Sequence, residues 1–150
     1  EFLIREPSVR TAIGKLGGRR IQLNDVIMEF RLPEKTWACA SIAALDGRPI
    51  AQSSLMLLVL ATRAENSGMV WNAERTSLGR NWGAPPVIAQ FVPATIHLPG
   101  DGQIFVHPLD AKGEIAGSVA VNRETNGWTF ETGTGAPTLW FAVKRAVEKK

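Results

Sequence analysis

Residues 55–62 read LMLLVLAT, and residues 55–61 are the longest apolar run of the 150-residue chain. Turn signals stand on both sides of this run: Asp46-Gly47 precedes it, and a polar, glycine-containing stretch begins at Arg63. A helix is the competing interpretation, but the brevity of the run and the flanking turns favour a strand. Because the run is almost continuously apolar, we expect a central β-strand that is covered on both faces.

The rest of the chain repeats this pattern of short apolar segments separated by Gly, Pro and Asp every eight to twelve residues or so, which is typical of sandwiches and barrels. The pair Asn126-Gly127 is a signal for a type I′ hairpin turn. About nine or ten strands are expected, so we predict an all-β chain folded as an antiparallel β-sandwich of the jelly-roll or immunoglobulin-like type, in one domain of residues 1–150 whose first 20 residues are only loosely defined. The predicted strands cover residues 26–32, 37–45, 55–62, 87–92, 94–98, 104–109, 117–122, 128–130 and 138–143.

Composition argues against two classes of partner. The formal net charge is +3, but the basic residues are scattered, and the densest groups are Arg19-Arg20 and the tail at 144–150. No basic stripe interleaved with aromatic residues is present, so nucleic-acid binding is not expected. The longest apolar run is far shorter than the roughly 20 residues that span a bilayer, so no membrane partner is expected either.

Motifs for covalent or metal chemistry are not evident. There is no Gly-x-Ser-x-Gly elbow, and Cys39 lies in a predicted strand, where it reads as a small buried hydrophobe. His97 and His107 also lie in predicted strands, outside any close cluster of metal-ligating residues, although they could still converge across a sheet. The stretch at 14–18, GKLGG, has neither the spacing nor the helix of a phosphate-binding loop and reads as a turn.

Acidic residues show no pair suited to glycoside hydrolysis, which needs two carboxylates facing each other across the sugar. Glu65 is the best single candidate, but it is more readily explained as an ion-pair partner of Arg63 or Arg75. We therefore predict a chain that is not an enzyme and that requires no cofactor and no metal.

The aromatic residues are more informative, because the chain has five tryptophans and no tyrosine. Trp37 and Trp140 lie in predicted strands and are expected to be packed, and Trp128 is ambiguous beside its turn. Trp71 and Trp82 differ because they flank a polar loop, and a tryptophan ring can stack on the C–H face of a sugar. The alternative is that these two rings plug the end of the sandwich beneath the loop.

Residues 57–72, LLVLATRAENSGMVWN, resemble the C-terminal β-sandwich region of bacterial secreted glycoside hydrolases of the cellulase-like type. Further similarity lies in LDGRPI at 45–50, WGAPPV at 82–87 and TLWF at 138–141. The resemblance implies a secreted, extracellular, noncatalytic sandwich that is tethered to a catalytic barrel. Such a domain acts either as a carbohydrate-binding module or as a packing domain that supports the barrel.

Two main hypotheses follow, with a cell-surface interaction module as a third. In the first, the domain targets the attached enzyme to a plant or algal cell-wall polysaccharide, with Trp71 and Trp82 stacking on sugar rings. In the second, the polar loop and its tryptophans pack against the catalytic barrel. The candidate carbohydrate-binding residues are Trp71, Trp82, Asn72, Arg80, Asn81, Glu65 and Trp128.

Overall fold

The computed structural model describes residues 1–135 and 137–146, which form β-strands and turns but no helix. The predicted all-β sandwich is confirmed. No helix that could cross a membrane occurs among the described residues. The strands are β1 (Phe2–Glu6), β2 (Val9–Lys15), β3 (Arg20–Leu23), β4 (Val26–Phe30), β5 (Trp37–Ala44), β6 (Leu55–Ala61), β7 (Ala64–Ser67), β8 (Ala84–Ala89), β9 (Ala94–Pro99), β10 (Ile104–Pro108), β11 (Val121–Glu124), β12 (Gly127–Thr132) and β13 (Trp140–Arg145).

The strands form two large antiparallel sheets and a separate two-stranded ribbon. One sheet has six strands in the order β1-β2-β5-β6-β13-β10, and the other has five in the order β11-β12-β9-β4-β3. The ribbon consists of β7 and β8 alone. Buried side chains from the inner faces of both large sheets, including Leu58 and Leu60 of β6 and Ile96 and Phe130 opposite, form one hydrophobic core.

Strand β6 lies in the middle of the six-stranded sheet, between β5 and β13, as its apolar sequence predicts. The expected burial on both faces is wrong. Met56 and Leu58 point inward and are fully buried, whereas Leu57 and Val59 on the other face are only partly buried. The reason is that no second layer of the described chain covers the outer face of this sheet.

The N-terminal segment, which the sequence defines only loosely, forms β1 and β2 at the edge of the six-stranded sheet. The turn predicted at 14–18 begins later than expected, because Gly14 and Lys15 still belong to β2. The turn itself is closed by a hydrogen bond from the Arg19 amide to the Leu16 carbonyl at 3.1 Å.

The hairpin predicted around Asn126-Gly127 is present, but its turn differs from the prediction. Glu124 pairs with Gly127, so that Thr125 and Asn126 are the loop residues. Gly127 has φ of 152°, and a Cβ at this position would lie 2.1 Å from the Leu98 carbonyl oxygen. Glycine is therefore required by the close approach of β9 rather than by a type I′ turn.

Candidate functional site: the β7–β8 ribbon

Between β6 and β9 the chain leaves the two large sheets as the ribbon, residues 63–90. Glu65 of β7 pairs with Ile88 of β8, and the Gln90 amide donates to the Arg63 carbonyl at 3.0 Å at the base. The sequence predicted an irregular segment at 63–86 followed by a strand at 87–92. In the structure that strand is β8, which spans Ala84–Ala89 and pairs with β7.

The loop between β7 and β8 is organised around Asn72. Its side-chain Oδ1 accepts hydrogen bonds from the amides of Thr76 at 2.8 Å and Ser77 at 3.1 Å, and its Nδ2 donates to the Thr76 hydroxyl at 3.0 Å. The Asn72 amide also donates to the Ser77 carbonyl at 2.9 Å. The side-chain amide of Asn72, one of the candidate carbohydrate-binding residues, thus holds the loop together.

Trp71 is held by a cluster of charged residues on one side of the ribbon. Its Nε1–H donates to Glu65 Oε1 at 3.1 Å, and the Arg75 guanidinium lies 5.2 Å from the centre of its ring. The same Glu65 oxygen accepts from Arg75 Nη2 at 2.6 Å and lies 3.6 Å from Arg63 Nε. Glu65 is therefore the ion-pair partner of both arginines, and one face of the Trp71 ring is occupied by a guanidinium.

Trp82 differs from Trp71, because 62% of its surface is exposed. The residues before it, Arg80 and Asn81, are exposed as well. The backbone around Trp82 is fixed, since its carbonyl accepts from Asn66 Nδ2 at 3.0 Å. The predicted plugging of the sandwich end does not apply to this ring.

The other three tryptophans lie outside the ribbon. Trp128 of β12 is 7% exposed, belongs to the core and carries the Arg123 guanidinium 4.9 Å from its ring centre. The candidate carbohydrate-binding residues therefore do not form a single site.

Trp37 and Trp140 were expected to be packed, but they are 60% and 38% exposed. Each begins a strand of the six-stranded sheet on its uncovered outer face.

Clefts surround the ribbon. One of about 270 Å³ is lined by both strands, including Glu65, Met69 and Ile88. A second of about 220 Å³ is lined by residues that include Phe91 and Trp140. A third of about 330 Å³ lies between Trp37 and Arg63. The exposed rings of Trp37 and Trp140 thus lie at the base of the ribbon.

The histidines and the cysteine do not converge. His97 lies in β9 with Nδ1 3.1 Å from Glu124 Oε2, whereas His107 lies in β10 of the other sheet with Nδ1 3.0 Å from the Gly117 carbonyl. Within residues 1–135 and 137–146, no three His, Cys, Asp or Glu side chains are grouped so as to hold a metal ion. Cys39 is partly buried, and this burial raises the pKa of its thiol.

No protein-family model, curated protein or solved structure matches this chain. The apolar residues of β8 are exposed, which the sequence pattern does not predict. The signal was the run PPVIA at 85–89, which pairs with the polar strand AENS of β7 rather than with an apolar partner.

Proposed function

We propose that this chain is a noncatalytic accessory domain that packs against the catalytic domain of a glycoside hydrolase, with the ribbon as a principal contact. The observation that carries the proposal is β8, in which every residue is exposed, with Val87 at 64% and Ile88 at 60%. A two-stranded ribbon is marginally stable in water by itself. The two side chains point to opposite faces of the ribbon, so whichever face docks buries one of them, which would contribute about 1.5–3 kcal/mol.

The ribbon also has its own network of internal hydrogen bonds. Its loop is fixed by Asn72, and a second set of bonds ties Trp71, Arg75 and Glu65 together. A preformed element loses little conformational entropy on binding, so more of the gross interaction energy remains as affinity. This property suits a docking element that has to fit one surface.

The partner class comes from the resemblance of residues 57–72 to the sandwich domains of secreted glycoside hydrolases. This stretch contains the whole of β7 together with Glu65, Trp71 and Asn72, and it also includes most of β6. The resemblance therefore includes part of the ribbon, which favours a role in attachment to the catalytic domain. Trp37 and Trp140 lie at the base of the ribbon and would extend the contact surface. Tryptophan is one of the residue types that are enriched at protein interfaces.

The test uses the longest natural polypeptide that contains this chain. Its linker is cut by limited proteolysis, and the fragments are passed through size exclusion. We expect the two domains to co-elute, and we expect Val87→Gln with Ile88→Gln to separate them. Arg80→Gln, an exposed polar change on the same ribbon, is the matched control and should have no effect. Separation of the wild-type fragments would refute the proposal.

Carbohydrate binding is the second candidate, and one observation favours it. The Trp82 ring is exposed directly after Arg80 and Asn81, which can form hydrogen bonds with sugar hydroxyls. Affinity electrophoresis against soluble glucans, xylans, mannans and galactans tests this directly. Binding should be lost in Trp82→Ala and largely kept in Trp71→Phe, because Trp71 is occupied by Arg75. If no glycan retards the protein, carbohydrate binding is ruled out for this panel.

A further inference from the structure

The six-stranded sheet has an outer face that carries apolar side chains on every strand. Strand pairing places Val59 between Ser41 and Trp140, and places Leu57 between Ala43 and Ala142, so these side chains lie in continuous rows on one face. We call this surface the apolar sheet face. It comprises Phe2, Ile4, Val9, Thr11, Ile13, Trp37, Cys39, Ser41, Ala43, Leu55, Leu57, Val59, Ala61, Phe105, His107, Trp140 and Ala142.

The outer face of the five-stranded sheet has the opposite character. There Arg20 pairs with Glu29 at 2.8 Å, and His97 lies 3.1 Å from Glu124. This second face is a normal solvated surface of charged and polar side chains. Since both faces belong to the same molecule, the contrast marks the apolar sheet face as a surface that is covered in the working protein.

The size of the apolar sheet face fits a folded protein domain. Six strands about 4.8 Å apart and rows about six residues long give a surface on the order of 500 Å². That area falls in the range of about 300–600 Å² that is typical of the largest apolar patch on a monomer, which is often functional, and the ribbon adds to it. Trp37 and Trp140 belong both to this face and to the base of the ribbon, so the two surfaces are continuous.

Two hydroxyl groups on the apolar sheet face form a hydrogen bond with each other. The hydroxyls of Thr11 and Ser41 lie 2.7 Å apart in a hydrogen bond, and Thr11 is buried. Covering this part of the sheet would therefore leave those two groups paired. A sugar would require hydrogen-bonding groups directed outward, which the central rows do not offer. The chemistry fits a dry, apolar protein surface.

Charged residues on this face lie only at its margins. Lys15 ends β2, Lys144 lies near the end of β13, and Glu6 ends β1. Two copies stacked through this face would each bring a net positive margin, and the chain as a whole has net charge +3. An apolar surface with carboxylates at its margin is therefore a better complement than a second copy of this chain.

We propose that the apolar sheet face docks on the glycoside hydrolase catalytic domain, against an apolar patch with acidic residues opposite Lys15 and Lys144. This inference rests on the proposed function and extends it from the ribbon to the sheet. In this arrangement the outer side of β6, which no part of the described chain covers, would lie in the middle of the interface between the two domains.

The experiment again uses the proteolytically nicked natural polypeptide, with association of the two fragments as the readout. Leu57→Gln with Val59→Gln should weaken association by roughly 100-fold or more, because two amides would be buried without partners. The matched control is Ile27→Gln, a partly buried outward position on the five-stranded sheet, which should leave association unchanged. Urea unfolding of each variant checks that the sandwich remains folded.

A second pair of variants avoids the sheet interior. Lys15→Glu with Lys144→Glu changes only exposed side chains and should weaken association roughly tenfold. Carboxyl-to-amine crosslinking of the uncut protein should join these lysines to Asp or Glu of the catalytic domain.

The outcomes separate the two proposals. If the glutamine variants of the sheet associate like wild type while the Val87/Ile88 variant does not, the sheet inference is wrong and the ribbon proposal stands. If wild-type fragments do not associate at all, the proposed function fails and this inference fails with it. Crosslinks between copies, together with a dimer in sedimentation, would overturn the inference in favour of a second copy.

Discussion

Arg145 is a buried arginine on the inner face of β13, and its guanidinium binds main-chain carbonyls. It donates to Pro99 at 2.7 Å, to Ser53 and Gly102 at 3.3 Å each, and to Ile50 at 3.4 Å. Burial lowers its pKa, but an arginine remains charged at all ordinary pH values. The side chain ties the end of the six-stranded sheet to the loops at 50–53 and 99–102.

We expect Arg145→Met to reduce the free energy of unfolding by about 3 kcal/mol, because buried carbonyls lose their donor. Urea denaturation measures the loss. The neighbouring exposed residue offers the control, and Lys144→Met should change stability by less than about 0.5 kcal/mol. Equal effects of the two changes would show that the carbonyl contacts contribute nothing.

Asp46 fixes the connection between β5 and β6. Its carboxylate accepts from the Ser54 amide at 2.7 Å, the Ser53 hydroxyl at 2.8 Å and the Ser54 hydroxyl at 2.9 Å. These bonds, with the Ser54 amide first among them, hold the pKa of Asp46 well below its usual value. The turn signal at Asp46-Gly47 lies between β5 and β6, which pair as a hairpin, but the connection is a ten-residue loop, 45–54, rather than a tight turn.

The stability contributed by Asp46 therefore depends on pH. Because the folded state lowers the pKa, the contribution is fully present above the ordinary value of about 4 and is lost as pH falls below it. We expect Asp46→Asn to be less stable than wild type at pH 7, with a gap that narrows between about pH 4 and pH 2. Chemical denaturation across this range is the measurement, and a gap independent of pH would contradict the assignment.

At the scale of the element, the ribbon depends on a close approach between its two strands. Gly83 has φ of 68°, and a Cβ there would lie 2.3 Å from the Ser67 carbonyl oxygen. Gly79 also has positive φ, at 53°, but a Cβ there would meet no atom within 4 Å. A substitution at Gly79 would therefore test the effect of positive φ alone, whereas one at Gly83 would add a steric overlap.

Gly83→Ala should therefore open the ribbon, while Gly79→Ala should have only the smaller effect of positive φ, about 1 kcal/mol. Hydrogen exchange followed by mass spectrometry measures this for residues 63–90. Amides of the two large sheets should exchange as in wild type in both variants, because the ribbon pairs with neither sheet. Equal exchange in the two variants would argue against the close approach.

The elements that sequence predicts well are those with a clear apolar pattern. Strands β4, β5, β6, β9, β10 and β12 lie within or close to the predicted segments. The hairpin of β1 and β2 is harder to predict, because Arg5, Glu6 and Arg10 interrupt the apolar pattern. Arg10 is buried only because it finds the Leu23 carbonyl at 3.0 Å and Asp25 at 2.7 Å on the other sheet, a partner that is distant in sequence.

The candidate site stays a prediction, but the structure shows how its residues are arranged. The sequence singles out residues 63–86 because two tryptophans flank polar residues there. It cannot show that Arg75 stacks on Trp71 while Trp82 remains exposed, since that difference depends on how the loop folds around Asn72. The pairing of Glu65 with Arg63 and Arg75 was expected from proximity in the sequence and is confirmed.

At the scale of the whole molecule, sequence predicts a sandwich but not which faces are covered. Alternation is obvious where outward residues are polar, as with Thr95 and His97 in β9. In β6 both faces are apolar, so the sequence indicates that both are buried, although only one faces the core of this domain. The outcome bears on the proposed docking surface, because an apolar outer row on a central strand is what docking through this face requires.

Two neighbouring leucines of β6 test this asymmetry within the isolated chain. Leu58 points into the core and is fully buried, whereas Leu57 points outward and is partly buried. We expect Leu58→Ala to cost about 2–5 kcal/mol of unfolding free energy and Leu57→Ala to cost about 1 kcal/mol or less, as measured by urea denaturation. The same residue type, strand and substitution are used at both positions, so the difference reports only the layer that each side chain contacts. Equal losses would mean that the outer face is already covered in the isolated chain, and in that case it would not be available to a catalytic domain.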